Sequence, residues 1–345
     1  MRQMAQIDVE DLAEQVMGGS RPHLARALTL VESSRPVDRE RTRELLKLVS
    51  RHTGKAIRLG VSGVPGAGKS TFIDALGCRL VDDHHLKVAV LAVDPSSSQS
   101  GGSILGDRTR MGQLAERDDA FVRPSPSGGS LGGVARATRE SMIIMEAAGY
   151  DVVMVETVGV GQSEVAVAGM VDTYLLVAVT GAGDDLQGVK KGILELADVM
   201  AVNKADGDNA PRARQAAEDF SKGLELVSAQ AGERTVPVLT CSALEGTGLE
   251  EVWQAVVDHR HWLEGNGSLA GRRAAQQHEW MWNIVRNSIV ESLRKDPVVA
   301  GQMADIEADL GTEATEALDG AQQVLETFAR RVPEQAWAHG RPSAG

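Results

Sequence analysis

Cysteine is nearly absent from this chain: Cys78 and Cys241 are the only two in 345 residues, and neither has a Cys or His within three residues. Two isolated positions make neither the disulfide framework of a secreted domain nor a zinc site, so both are expected to be buried thiols in a reducing cytoplasm. Long apolar runs are missing too. No stretch approaches the roughly 18 apolar residues that a membrane span needs. Met1–Leu12 has no apolar run and carries several acids, so neither a secretory signal nor an acid-poor transit peptide is expected. A basic excess is also lacking. With 36 Lys and Arg against 48 Asp and Glu, the net charge is −12, which argues against duplex nucleic acid or an anionic membrane surface as main partner. The length allows one large domain with additions, or two domains.

What is present is concentrated between residues 57 and 80. An apolar run from Ile57 to Val64 leads directly into Gly63-Val64-Pro65-Gly66-Ala67-Gly68-Lys69-Ser70, the pattern GxxxxGK[ST], and then into a helical stretch from Ser70 to Leu80, with Thr71 next to Ser70 as a further nucleotide-binding candidate. Strand, glycine-rich turn and helix in that order form a phosphate-binding loop. Its glycines let successive N–H groups point inward at phosphate oxygens, Lys69 adds a point charge near the β/γ-phosphates, and Ser70 offers a hydroxyl to Mg²⁺. A plain Gly-rich turn would not require Lys-Ser at that spacing.

Three zones follow from periodicity. Residues 1–55 show helical apolar spacing, Leu24/Ala27/Leu28/Val31 and Leu45/Leu46/Val49, interrupted by Gly18-Gly19 and Pro36. Residues 56–265 alternate helical patterns with β-branched runs at 57–64, 87–94, 119–123, 151–157, 173–180, 198–203 and 236–242. Near-continuous apolar strands of this kind predict an α/β fold, a mostly parallel sheet covered by helices on both faces. After Gly265-Asn266-Gly267-Ser268, residues 270–335 return to helical spacing, with Met281/Val285/Ile289/Leu293 and Val324/Leu325/Phe328 flanking Asp296-Pro297. That tail is too thin in apolar residues for a core of its own, so it is expected to pack on a second subunit.

The base is chosen downstream. Asn203-Lys204-Ala205-Asp206 ends a strand run, and in this arrangement the Asp carboxylate accepts two hydrogen bonds from guanine N1 and N2, which adenine cannot supply. Lys204 would lie along the base plane, and Asn203 would brace the loop and reach the ring edge. Ser242-Ala243-Leu244, at the next strand end, would offer the Ala243 N–H to guanine O6. Catalysis and metal binding need carboxylates near the γ-phosphate, and Asp94, Asp107 and Glu156 all stand where strand ends can converge on the phosphate loop. With Ser70 they form the expected Mg²⁺ set, and with Lys69 the expected catalytic set. Gly159, just beyond Glu156, would bond the γ-phosphate through its N–H and report its loss. Val160 follows it where many GTPases carry a water-positioning Gln, which predicts slow intrinsic hydrolysis, with Gln162 and Arg108 as groups that a docked partner could bring to the γ-phosphate.

These motifs together resemble the MeaB/ArgK family of P-loop GTPases, which belongs to the SIMIBI class of P-loop NTPases. The resemblance is carried by the phosphate loop, Val93-Asp94-Pro95-Ser96-Ser97, Gly106-Asp107-Arg108-Thr109-Arg110-Met111, the run from Glu156 to Glu164, the run from Gly181 to Lys191, and Asn203–Asp206. It covers essentially the whole chain, helical extensions included. It implies a GTP/GDP- and Mg²⁺-dependent chaperone of an adenosylcobalamin-dependent acyl-CoA mutase, typically methylmalonyl-CoA mutase, that gates cofactor loading and protects the mutase. It also implies a partner-coupling switch at 180–191, with Gln187, Lys190 and Lys191, and a C-terminal helical arm that makes a homodimer. Two other classes compete. A metal-insertion GTPase would bring Cys/His clusters near the nucleotide, and the one adjacent histidine pair, His84-His85, reads better as a solvated turn. A nucleotide-dependent kinase, as in the older transport-kinase label of the family, would need a second-substrate motif that the residues do not offer.

Overall fold

The apolar runs become strands because the inner ones are buried on both sides, while the edge strands are partly buried. In the computed structural model, which describes residues 8–33, 35–93, 111–124, 131–157, 163–180, 191–231, 234–310 and 314–332, β1 is Ile57–Gly63, β2 Val88–Val93, β3 Ala120–Arg123, β4 Val152–Thr157, β5 Thr173–Ala178, β6 Val199–Val202 and β7 Val238–Thr240. They form one seven-stranded sheet in the order β3-β2-β4-β1-β5-β6-β7, and every pairing is parallel. Parallel strands need crossovers, so helices cover both faces, and only the edge strands β3 and β7 keep partly exposed residues. All seven expected runs are strands, each trimmed at its ends.

Alternation along the strands divides the core. Leu59, Val61, Val90, Met154, Leu175 and Val177 face one side, where they meet α4 (Lys69–Asp82), the short α5 (Gly112–Ala115) and α10 (Leu249–Gly265). Leu91, Val153, Val155 and Tyr174 face the other, against α6 (Leu131–Ala147) and α7 (Ser163–Ala168). The N-terminal helices α1 (Val9–Met17), α2 (Arg21–Glu32) and α3 (Pro36–Val49) pack on this second side, and Leu24, Leu28, Leu45 and Val49 join its core. Pro36 opens α3 at a position where its missing N–H is no loss, so the expected break is a helix start. The short α8 is Lys191–Leu194, and α9 (Ala210–Ala231) covers β5 and β6 through Ala213 and Phe220.

The sheet order also places the site. The chain leaves central β1 toward β2 and β3, returns to β4, then crosses to β5, β6 and β7, so connections run to both sides of β1. Ligands of open α/β sheets sit at the carboxyl ends of strands around such a reversal. At the opposite, amino end of the strands a buried charge cluster locks the sheet. Asp172 accepts from the Arg58 backbone N–H (3.2 Å), from Arg260 (2.7 Å) and from Arg273 (2.8 and 2.7 Å), while Arg58 also pairs with Glu146.

Arg273 lies on α11 (Ser268–Lys295), and the chain divides into two units within that helix, at Gln276/Gln277. In the second unit, α12 (Pro297–Asp309) and α13 (Ala314–Arg331) are closed by Asp296, which caps Val298 and Val299 and takes Arg331 Nε on both oxygens (2.9 and 2.8 Å). Among its described residues only Val299 and Phe328 are buried hydrophobics. Met281, Trp282, Val285 and Ile289 are exposed on α11. No helix among the described residues is long and apolar enough to cross a membrane.

Candidate nucleotide site

The phosphate loop joins β1 to α4 and is set by two glycines. Gly63 has φ 155° and any Cβ there would collide with the Val177 carbonyl on β5; Gly68, at φ 82°, caps α4, where a Cβ would stand 2.9 Å from Asn203 Nδ2. Side chains are excluded at both positions, which leaves the backbone N–H groups and the α4 N-terminus open to an anion. Lys69 is buried and folds across the loop, donating to the Gly63 carbonyl (2.9 Å) and the Val64 carbonyl (3.3 Å). Burial pulls its pKa below the usual lysine value, and the charges of Glu156 and Glu164 oppose that pull. Phosphate oxygens are stronger acceptors than these carbonyls, so an arriving phosphate can draw the ammonium off them.

Glu156 is brought to the loop by register. β4 lies between β2 and β1, with Glu156 beside Val61 and Ala92, and the buried carboxylate accepts from Ser70 Oγ at 2.8 Å. Thr157 Oγ1 donates to Ser62 Oγ at 2.9 Å and pins the strand end. Ser70 and Glu156 together present hard oxygen donors beside a phosphate-binding loop, a set that fits Mg²⁺, which takes one or two protein ligands with phosphates and waters. Asp94, Asp107, Arg108, Gly159, Gln162, Gln187 and Lys190 lie outside the described residues. Lys191 opens α8.

The base-side loops are tied to the phosphate loop through one amide. Asn203 is 1% exposed; its Nδ2 donates to the Ala67 carbonyl (2.9 Å), and its Oδ1 accepts from the Ala243 N–H (3.0 Å). The Ala243 N–H expected to face guanine O6 is thus held by Asn203, the buried acceptor closest to hand. Lys204 adopts φ 62°, and its stem passes over Gly68. Asp206 Oδ2 accepts from Ser242 Oγ (2.5 Å), which fixes the carboxylate, while Leu244 stands 83% exposed beside it. Asn203, Lys204, Asp206, Ser242 and Ala243 therefore converge with Gly63–Thr71 at the carboxyl ends of β1, β6 and β7.

Residues 24–298 match the family model described as "Methylmalonyl Co-A mutase-associated GTPase MeaB". The chain belongs to the MeaB family. This MeaB-family GTPase is 51% identical to a probable GTPase of Mycobacterium bovis over 319 residues, covering 92% of this chain and 94% of the relative. It is 48% identical to the GTPase ArgK of Escherichia coli, covering 80% of this chain and 83% of that protein. To the mouse mitochondrial methylmalonic aciduria type A homolog it is 40% identical, covering 94% of this chain and 80% of that one. Among solved structures, one titled LAO/AO transport system kinase superposes with a TM-score of 0.73 at 35% identity, covering 95% of this chain and 100% of that one.

Several residues of the site carried no role in the sequence reading. Glu164, on α7, is buried and close enough to act on the Lys69 charge, yet a Glu at a helix start reads as an ordinary N-terminal acid. Asn209 sits beyond the base motif, where its Nδ2 donates to the Lys204 carbonyl (2.7 Å) and its Oδ1 accepts from Thr180 Oγ1 (2.8 Å). Nothing in the local pattern marks it. Both cysteines are free, Cys241 buried against Asn203 and Cys78 half-buried on α4, so full burial holds for one of the two. His84 pairs with Glu250 at 3.0 Å in the turn before β2.

Proposed function

We propose that this MeaB-family GTPase binds GTP and GDP with Mg²⁺ and couples hydrolysis to an adenosylcobalamin-dependent acyl-CoA mutase, methylmalonyl-CoA mutase in particular, gating its cofactor loading and protecting it. The observation that carries the nucleotide half is the Asn203 side chain, which joins the phosphate loop at Ala67 to the base-side loop at Ala243 and so makes one continuous site. In it the loop N–H groups and Lys69 hold the β- and γ-phosphates, and Asp206, oriented by Ser242, accepts from the guanine edge. Ser70 and Glu156 would hold the metal, with the Ser70 hydroxyl oriented by the Glu156 carboxylate that accepts from it. Mg²⁺, when bound, would supply neutralisation of the phosphate charge. Asp94 and Asp107 complete the acid set, and Gly159 senses the γ-phosphate.

The mutase half is supported by the family description and by the relatives named for methylmalonic aciduria. Gln187, Lys190 and Lys191 are the residues we assign to sensing the mutase. Residues 270–335 form the dimerisation arm, a reading supported by exposed Met281, Trp282, Val285 and Ile289 on α11 and by the second unit's sparse core. Two free thiols and the lack of disulfides among the described residues are compatible with work in the cytoplasm. The test is GTP turnover with and without a cognate mutase. Slow basal hydrolysis that the mutase accelerates, with Lys190→Ala or Gln187→Ala reducing only the acceleration, is the expected result. No response to any adenosylcobalamin-dependent mutase would overturn the partner assignment.

A further inference from the structure

Lys204 is one of two described non-glycine residues with a left-handed backbone, at φ 62°, and its side chain crosses the phosphate loop at Gly68. A side-chain-bearing residue holds that conformation only where its surroundings over-determine it. Asn209 supplies the constraint. Its Nδ2 donates to the Lys204 carbonyl at 2.7 Å, and its backbone N–H donates to the Asp206 carbonyl at 3.0 Å, so one residue brackets the whole base-reading turn. Its orientation is set in turn by Thr180, just past β5, whose Oγ1 donates to Asn209 Oδ1 at 2.8 Å. The Lys204 carbonyl can only accept, so it requires Asn209 Nδ2 to face it; Oδ1 is then left facing Thr180, whose hydroxyl holds the amide there by donating to it. From the other side, the Ala205 N–H donates to the Cys241 carbonyl at 3.0 Å and Ser242 holds Asp206.

We infer that Asn209 is a positioning residue for guanine recognition, held in its working rotamer by Thr180, so that affinity for the base depends on the end of β5 as well as on Asp206. The inference rests on the base-reading role proposed above for Asp206. Phosphate contacts come from Gly63–Ser70 and do not pass through Asn209, so its loss is expected to fall mainly on the guanine-dependent part of binding.

The test is the affinity of the full chain for GDP, by calorimetric titration, and for ADP, by competition. Asn209→Ala and Thr180→Val are each expected to weaken GDP about tenfold, equivalent to about 1.4 kcal/mol, with ADP affinity unchanged. Thr180→Ser, which keeps the hydroxyl, is expected to restore the wild-type ratio. Equal losses for GDP and ADP would reduce Asn209 to a general structural role and overturn the inference, as would wild-type GDP affinity in Asn209→Ala. Asp206→Asn separates the two levels. If it abolishes the preference for GDP while Asn209→Ala leaves it intact, only the positioning role falls; if it leaves the preference intact, the base-reading role falls as well.

Discussion

Replacing Asn203 by Ala removes a side chain that hydrogen-bonds both halves of the nucleotide site. The change deletes the bond from Nδ2 to the Ala67 carbonyl and strands the Ala243 N–H, whose acceptor is Oδ1. Ala67 is fully buried and Ala243 is 7% exposed, so water reaches neither group easily. A buried polar group left unsatisfied costs about 1–3 kcal/mol, and two such groups with partial relaxation come to about 2–4 kcal/mol. For a unit of this size that lowers the melting temperature of the nucleotide-free protein by roughly 3–7 °C. Ligand binding suffers further, because the phosphate loop and the Ser242–Ala243 turn lose their common register, so the stabilisation that saturating GDP gives wild type is expected to shrink. Differential scanning fluorimetry with and without GDP reads both effects. A variant that melts like wild type and keeps its full GDP-induced shift would refute the view that Asn203 unites the site.

Three further outcomes are expected. Glu156→Ala should keep its fold and GDP binding but lose most Mg²⁺-dependent hydrolysis, read as phosphate release; wild-type turnover would remove Glu156 from the metal set. Glu140 on α6 is buried, its Oε2 without a hydrogen-bond partner among the described residues, and burial raises its pKa from 4.5 to about 7 against the pull of Arg136 and Arg39. The folded state thus keeps a proton that the unfolded chain releases near pH 4.5. Stability should fall as pH rises from about 4.5 to about 7, by at most about 3 kcal/mol, and stay flat above. Glu140→Gln should remove that slope and raise the melting temperature at pH 8, whereas parallel pH profiles for the two proteins would contradict it. Truncation after Gln277 keeps Arg272, Arg273 and Gln276, which bond to Asp198, Asp172 and the Val171 carbonyl, but removes the exposed face of α11. A GTP-binding monomer by light scattering is expected, and an unchanged dimer would move the interface into the first unit.

Local chemistry made much of this protein readable in one dimension. A β-branched run buried on both faces has only one fate in an α/β chain, so the seven strands could be found from Ile57 to Thr240 without knowing their neighbours. The phosphate loop is equally local, since the strand, the glycines and Lys69-Ser70 are contiguous and their geometry follows from φ angles that only glycine tolerates. The family resemblance is carried by contiguous motifs of the same kind. Strand order is different. That β4 slots between β2 and β1, setting Glu156 beside Ser70, depends on crossovers whose path no short window encodes. The same holds for Asn203, which reads in its tetrapeptide as bracing the loop and reaching the ring edge, but whose bracing partners, Ala67 and Ala243, belong to two other loops that the tetrapeptide does not name. Asn209, Thr180, Glu164 and the cluster around Asp172 escape sequence reading for that reason: a lone Asn, Thr or Asp carries no pattern, and its partners lie far along the chain. Sequence by itself determined the elements and the phosphate chemistry, because those are properties of neighbouring residues; tertiary structure alone decided which side chains meet, because hydrogen bonds are made across space between groups that the chain holds apart.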